Sequence, residues 1–519
     1  MREIPRARTA RRLPAWALLA IAAGCTINPV TGERELALVS AEDEIAIGTQ
    51  QYAPSQQMQG GVYTLDPALT AYVRSVGERV AAVSDRALPY EFVVLNNSVP
   101  NAWALPGGKI AVNRGLLTEL QSEAELAAVL GHEIVHAAAR HGAQAMQRGM
   151  LLQVAVLASA VAAQRNNYSQ LAVGAASIGA QLINQRYGRA AELESDLYGM
   201  RYMSAAGYDP QAAVSLQETF VRLSEGRDEG GWLAGLFASH PPSSERVERN
   251  RETAATLPAG GELGRERYEQ ATRLLRQRKP AYDLYDQGRR ALADNRPDEA
   301  RRAAAEAVRL LPEEAQFHAL LGDIEFAERR YEAAIGHYRE AIARDDSFFY
   351  YPLRKGLAHQ AAGQWDASQA DLEASLALLP TADAHYGLGR LAERRGDRAR
   401  ALEHYAAAGQ SSSETGQAAR NAAVRLDLPQ NPGGYLTVRT GVDSAGQLLV
   451  EVGNPTGVAV RDIAVVIRYV DAQGALRETV RQLSGTLPPN GSARAATGLG
   501  PFTRPDAYQV TIAAARIAE

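Results

Sequence analysis

At 519 residues the chain is too long for one ordinary domain and, at roughly 100 to 200 residues per domain, predicts about three to four of them. Its 46% apolar and 22% charged content excludes global disorder, and a formal charge of -4 supplies no basic field for a phosphate backbone, which argues against nucleic acid as a partner. The single cysteine excludes an internal disulfide framework and a four-cysteine zinc site.

In chain order, Arg2, Arg6, Arg8, Arg11 and Arg12 precede an apolar run from Leu13 to Ala23. That run is shorter than the roughly 20 residues of a membrane helix, so residues 1–24 read as a secretory signal peptide. Ala22-Ala23-Gly24-Cys25 resembles a bacterial lipobox, which implies acylation of Cys25 as the mature first residue and a membrane held by a lipid anchor. Ordinary signal cleavage and a buried free thiol are the alternatives. By the same resemblance, Thr26 in place of a retaining aspartate implies an exported protein at the periplasmic side of the outer membrane. Residues 25–52 then read as a lipidated tether, with a turn signal at Asn28-Pro29-Val30-Thr31-Gly32.

Residues 53–258 predict an α-rich domain with a small sheet. Tyr90–Leu95 and Lys109–Val112 have strand character, while Ser122–Ala145 and Ala190–Ala206 show helical periodicity without proline. Met150–Ala163 is apolar but too short to span a bilayer, and reads as a buried or lid helix. After a helical linker at 259–280, Gly288, Gly322, Gly356 and Gly389 recur at intervals of 34, 34 and 33 residues, the tetratricopeptide period. Twelve residues after each stands Ala300, Ala334, Ser368 or Ala401, small enough to let paired helices pack closely, so residues 281–425 predict an α-solenoid. Beyond Asn431-Pro432-Gly433-Gly434 the period changes to two, with Ile463, Val465 and Ile467 on one face, and residues 435–519 predict an antiparallel β-sandwich.

The chemistry lies in His132-Glu133-Ile134-Val135-His136, on the helix that opens at Ser122 with Glu125 three residues later, as in a capping box. Positions four apart differ by about 40° around a helix, so both imidazoles leave one face a turn apart and can meet one ion. Glu133 beside them can reach a water on that ion and take its proton, the HExxH logic of metalloproteases. His141 sits about 140° around from His136 and reads as a surface or packing histidine. A third ligand must come from elsewhere, and Glu192 and Asp196 share one face of the next helix, where one carboxylate can bind metal while the other orients a histidine. Glu194 points away from that pair and reads as solvated.

The runs Asn101-Ala102-Trp103-Ala104-Leu105-Pro106-Gly107-Gly108, His132 to His141, Gly188 to Gly199 and Gly207-Tyr208-Asp209-Pro210 together resemble the HtpX/Oma-type zinc metallopeptidases, in particular the periplasmic BepA-like branch joined to tetratricopeptide repeats. The resemblance covers roughly residues 25–425. It implies an α-rich zincin-type metallopeptidase domain with a small sheet followed by a tetratricopeptide α-solenoid, and with the C-terminal β-sandwich read from the alternation the whole is a multidomain protein. It further implies one Zn2+ per chain on His132, His136 and Glu192, Glu133 as catalytic base and Asp196 in support. Gly188 and Ser195 stand where the family usually has serine and alanine. Ser239-His240-Pro241-Pro242 with Arg246 matches another family segment, which makes His240 a candidate fourth, latency-imposing ligand, against the reading of a loop histidine without metal contact. For Lys109–Val112 the resemblance suggests a sheet edge that aligns extended substrate, with burial inside the domain as the competing reading.

The function so implied is zinc-dependent endoproteolysis of misassembled or stalled envelope proteins, with substrate or the outer-membrane assembly machinery docking on the repeats. The rivals are a repeat scaffold or chaperone whose zinc site is structural or latent, and an exopeptidase.

Overall fold

The computed structural model describes residues 25–149, 187–225, 240–471, 473–502, 504 and 507–518. The expected signal peptide and the apolar run Met150–Ala163 lie outside the described residues. No helix among the described residues is long and apolar enough to cross a membrane. The chain divides into two compact units, Met1–Ile324 with Glu340–Phe348, and Glu325–Arg339 with Phe349–Glu519.

The first unit opens with a hairpin of β1 (Cys25–Ile27) and β2 (Arg34–Leu36), followed by α1 (Ala41–Met58) and α2 (Pro67–Ala81). The stretch expected to be a tether is therefore folded from Cys25 onward. A three-stranded sheet has β5 (Lys109–Asn113) at its centre, parallel to β3 (Glu91–Leu95) and antiparallel to β4 (Ala102–Leu105). The edge reading of Lys109–Val112 is thus overturned: the strand is buried and paired on both sides, and β4 is an edge. β4 itself was not legible as a strand. The turn from β4 to β5 passes through Gly107 and Gly108 at φ 78° and 85°, where a Cβ on Gly107 would stand 2.7 Å from Ile45 Cα.

Helix α3 (Arg114–Glu119) leads into α4 (Glu123–Ala138), whose every residue is buried. Ser122 caps α4 by accepting from Glu125 N, but the Glu125 carboxylate reaches back to Gln121 N rather than to the cap's own N–H. α5 (Arg189–Ala205) crosses α4 where Gly131 faces Gly199; a Cβ on Gly199 would stand 2.8 Å from His132 N. Helices α6 (Gln211–Glu225), α7 (Ser244–Thr256) and α8 (Arg265–Ala293) follow. α8 is more than a linker: Tyr268, Leu275, Ala281 and Tyr282 enter the core, Tyr268 OH donates to Leu117 O, and Arg276 Nη2 donates to Leu120 O ahead of α4. Glu123, the first residue of α4, accepts from Tyr72 OH, Tyr208 OH and Arg267, which fixes that helix end to α2 and α8.

The repeats follow the expected period. In the first unit α8 pairs with α9 (Pro297–Leu310), Ala300 is fully buried, and Gly288 leaves room for Leu320 of α10 (Ala315–Ala327). Next in the chain is α11 (Tyr331–Arg344). In the second unit, α12 (Tyr350–Ala361), α13 (Trp365–Leu378), α14 (Ala382–Arg394) and α15 (Arg398–Ala408) form successive pairs. A Cβ on Gly356 would meet Leu372 at 2.8 Å and one on Gly389 the Tyr405 ring at 2.6 Å, while Ser368 and Ala401 are fully buried. Glycine on the first helix thus admits a large side chain from the second. After α16 (Glu414–Asp427) come two antiparallel three-stranded sheets. One joins β6 (Thr437–Val442), β7 (Leu448–Gly453) and β10 (Ser492–Ala496); the other joins β8 (Val460–Val470), β9 (Leu476–Leu483) and β11 (Tyr508–Ile517). Val450, Val452, Ile463, Val465 and Ile467 share their core, as the alternation predicts.

Candidate metal centre

Packing of α5 on α4 brings residues far apart in sequence to one buried point. Ligand atoms of His132, His136, Glu192 and His240 all lie within 4.8 Å of one another. His132 Nε2 is 3.0 Å from His136 Nε2 and 3.3 Å from His240 Nδ1, and His240 Nδ1 is 3.0 Å from Glu192 Oε1. Glu192 lies 3.5 Å from His136 Nε2 and 3.6 Å from His132 Nε2. Glu133 stands beside the group, Oε1 3.6 Å from His240 Nε2, and its Oε2 is buried without a hydrogen-bond partner among the described residues.

The surroundings set the state of each donor. Asp196 Oδ1 meets His132 Nδ1 at 2.9 Å and also accepts from Arg246 Nη2, while its Oδ2 accepts from Arg246 Nε at 2.7 Å. Burial alone would raise the Asp196 pKa, but the Arg246 guanidinium and His132 outweigh it and hold the carboxyl below its usual range. An ionised carboxylate only accepts, so His132 carries its proton on Nδ1 and turns the Nε2 lone pair toward the cluster. Burial, aided by His132 and His141, pushes His136 well below the ordinary histidine value, so its ring is neutral. Glu192 is driven well below the ordinary range because His240, His136 and His132 outweigh its burial, and Arg246 Nη1 faces its Oε2 at 2.9 Å as an ion pair. Burial raises Glu133, only partly offset by His240 and His132. Burial would lower His240, yet Glu192 and Glu133 reverse the sign and raise it.

These donors fit a divalent cation. Two imidazoles turned Nε2 to Nε2 at 3.0 Å, a buried ionised carboxylate and a Glu133 oxygen unpartnered among the described residues form a cage that a cation between them would satisfy. Glu194 departs from expectation, and His141 reaches its expected packing role by another path. α4 stops at Ala138, Arg140 takes φ 63°, and the chain turns. His141, buried, therefore comes back to place Nδ1 2.9 Å from His136 Nδ1, where an unbroken helix would have carried it away. Glu194 is half-buried rather than solvated, 3.3 Å from His141 Nε2. Arg246, whose fork joins Asp196 to Glu192, and Tyr187, stacked on His136 with ring centroids 4.0 Å apart, had no role readable from spacing. Ser195 is buried and its Oγ is 3.5 Å from His141 Nδ1.

A cavity lined by Ala102, Val129, Glu133, Met200, Leu216 and Phe220 opens on the cluster. An HExxH helix crossed by a second helix that contributes a carboxylate, beside a small sheet, defines the zincin class of metallopeptidase.

Comparison with known proteins agrees. Residues 67–254 match peptidase family M48, and residues 285–347 and 353–414 match the tetratricopeptide repeat. Metalloprotease YcaL of Escherichia coli K12 is 30% identical over 35% of this chain and 70% of its own length. The putative beta-barrel assembly-enhancing protease of Vibrio cholerae is 30% identical over 37% of this chain and 40% of its length; the beta-barrel assembly-enhancing protease of Escherichia coli K12 is 25% identical over 58% and 68%. The chain belongs to peptidase family M48. It spans 30 to 52% of the length of the first four curated relatives it matches.

Proposed function

We propose that this chain is a zinc-dependent endopeptidase of the bacterial cell envelope. Its residues 1–24 are a signal peptide, Cys25 bears the acyl chains of a lipoprotein at the periplasmic face of the outer membrane, and residues 53–258 form the peptidase domain. Misassembled or stalled outer-membrane and periplasmic proteins are its substrates. The repeats at 281–425 dock them or the assembly machinery, and residues 435–519 form a β-sandwich. Two relatives named for enhancing β-barrel assembly support this substrate class.

The observation that carries the reading is the meeting of His132, His136 and Glu192 with Glu133 alongside and a cavity before them. Zinc held by those three residues would polarise the scissile carbonyl and make water nucleophilic near neutral pH. Glu133, raised by burial, is the better proton acceptor for it: its unpartnered Oε2 takes the proton of the attacking water and returns it to the leaving amine nitrogen. Asp196 and Arg246 hold His132 and Glu192 in register. The substrate-aligning role expected of Lys109–Val112 passes to β4, which among the described residues pairs on one side only and contributes Ala102 to the cavity.

A latent resting form is favoured by His240, whose Nδ1 stands among the three ligands and occupies the fourth position. The test compares cleavage of an unfolded, terminally blocked protein by the mature chain, Glu133→Gln and His240→Ala, at equal zinc content. Internal cuts by the parent, lost in Glu133→Gln and increased in His240→Ala, are expected. No cutting by the parent or His240→Ala would move the function to the repeats as a scaffold.

A further inference from the structure

The hairpin that begins at Cys25 has two unlike faces. Its register pairs Cys25 with Leu36, Thr26 with Glu35 and Ile27 with Arg34. Facing residues of an antiparallel pair share a face and alternate ones oppose it. Positions 27, 34 and 36 therefore form one face, and the alternation of exposure runs on to Leu38. Ile27, Leu36 and Leu38 are 62%, 38% and 50% exposed, and Arg34 is exposed beside them.

The opposite face is fastened to the cap of the metal-binding helix, the turn after it and the helical run that follows. Glu35 accepts from Gln144 Nε2, Val39 is buried and its carbonyl accepts from Arg140 Nη2 at 2.6 Å, and Leu38 N donates to Gln147. Buried Asn28 donates from Nδ2 to Ala139 O, the residue that caps α4. No free linker separates position 25 from His136. The strand advances about 3.3 Å per residue and the helix about 1.5 Å, so attachment point and His136 lie within roughly 20 Å of one another.

We propose that the Ile27–Leu36–Leu38 face is a membrane-contact surface, seated on the bilayer that anchors Cys25, and that it holds the metal centre at the lipid surface. The proposal rests on the lipoprotein reading above. The occupant is a bilayer because the hairpin begins at the residue to which an export segment and lipobox-like run lead, and because Arg34 adds a cation at headgroup level. A peptidase so held favours chain segments that emerge close to the membrane over substrates free in solution.

The mature chain with Cys25→Ser, which carries no lipid, is mixed with vesicles of phosphatidylethanolamine and phosphatidylglycerol and followed by flotation and by hydrogen exchange. Expected is binding roughly ten- to a hundredfold stronger than that of the same chain with Ile27→Ser, Leu36→Ser and Leu38→Ser, given the apolar area those side chains bring to lipid. Exchange at residues 25–39 should slow only when vesicles are present. Arg34→Glu, a milder variant, should weaken binding to these vesicles but not to phosphatidylcholine alone. Equal flotation of parent and triple variant would overturn the proposal, as would protection of residues 25–39 by self-association without lipid. Mass spectrometry of the cell-derived protein judges acylation separately: an unmodified Cys25 would end the lipoprotein reading while flotation of the unacylated chain still decided the contact surface.

Discussion

Replacing Gly199 with alanine should damage the metal site without touching a ligand. The added Cβ would stand 2.8 Å from His132 N and 2.9 Å from Gly131 C, where ordinary contact begins at 3.4 Å. Both obstacles are backbone, so no side chain can swing aside and α5 must retreat from α4 by about 0.6 Å (3.4 − 2.8), a strain typical of overpacked cores. Glu192 rides on α5 and both histidines on α4. Zinc–ligand distances hold within about 0.2 Å, so the retreat exceeds what the site tolerates. The expected result is zinc affinity down by roughly 10- to 100-fold, as for loss of a ligand-orienting group, and stability down by about 1 to 3 kcal/mol. Competition against a chromophoric chelator reads the first and urea unfolding of the zinc-free chain the second. Gly188→Ala is the matched control, since nothing lies within 4 Å of its Cβ position. A Gly199→Ala chain indistinguishable from that control in both measurements would refute the argument that glycine sets the helix spacing at the site.

Asp196→Asn should weaken metal binding by about 10- to 100-fold by releasing His132. It should also destabilise the zinc-free chain by about 1.5 to 3 kcal/mol, because buried Arg246 loses one of its two charged partners and keeps Glu192; unchanged urea midpoints would contradict this. Burial pushes Glu123 up, but hydrogen bonds from Arg267, Tyr72 and Tyr208 outweigh it and hold its carboxyl below the ordinary value. Its native pKa then lies below the unfolded one, so its stabilisation is complete above the unfolded value of about 4.3 and is lost as pH falls through the native value. The gap between parent and Glu123→Gln, about 1 to 3 kcal/mol at neutral pH and nearer the lower figure because Arg267 is half-exposed, should therefore close in acid when melting is followed against pH. Ser368→Leu, at a fully buried position of the second unit, should cost about 1 to 3 kcal/mol by overpacking while leaving zinc affinity unchanged.

Much of this protein is written in local patterns. His132 and His136 share one turn of one helix, so their convergence follows from helical geometry, and of the glycines that recur at 34, 34 and 33 residues Gly356 and Gly389 mark where the second helix of the pair inserts a large side chain. The alternation of Ile463, Val465 and Ile467 likewise anticipates a buried face. Periodicity failed where the backbone left it. The angle assigned to His141 assumed an unbroken helix; the left-handed turn at Arg140 brings it back against His136, where it is the packing histidine expected and stands outside the metal-ligand group. Lys109–Val112 has the same alternation at an edge as at a centre, because a strand's own residues do not say how many neighbours it has.

The residues themselves thus supplied the donors, their chemistry and the repeat that carries the solenoid, all from interactions within a few turns of helix. Tertiary packing decided which donors meet: His240, 108 residues from His132, comes within 3.3 Å of it, and the Arg246 fork closes on Asp196 from 50 residues away. A metal site is set by distances of a few Å, and between distant segments only close packing, here Gly131 against Gly199, imposes distances on that scale.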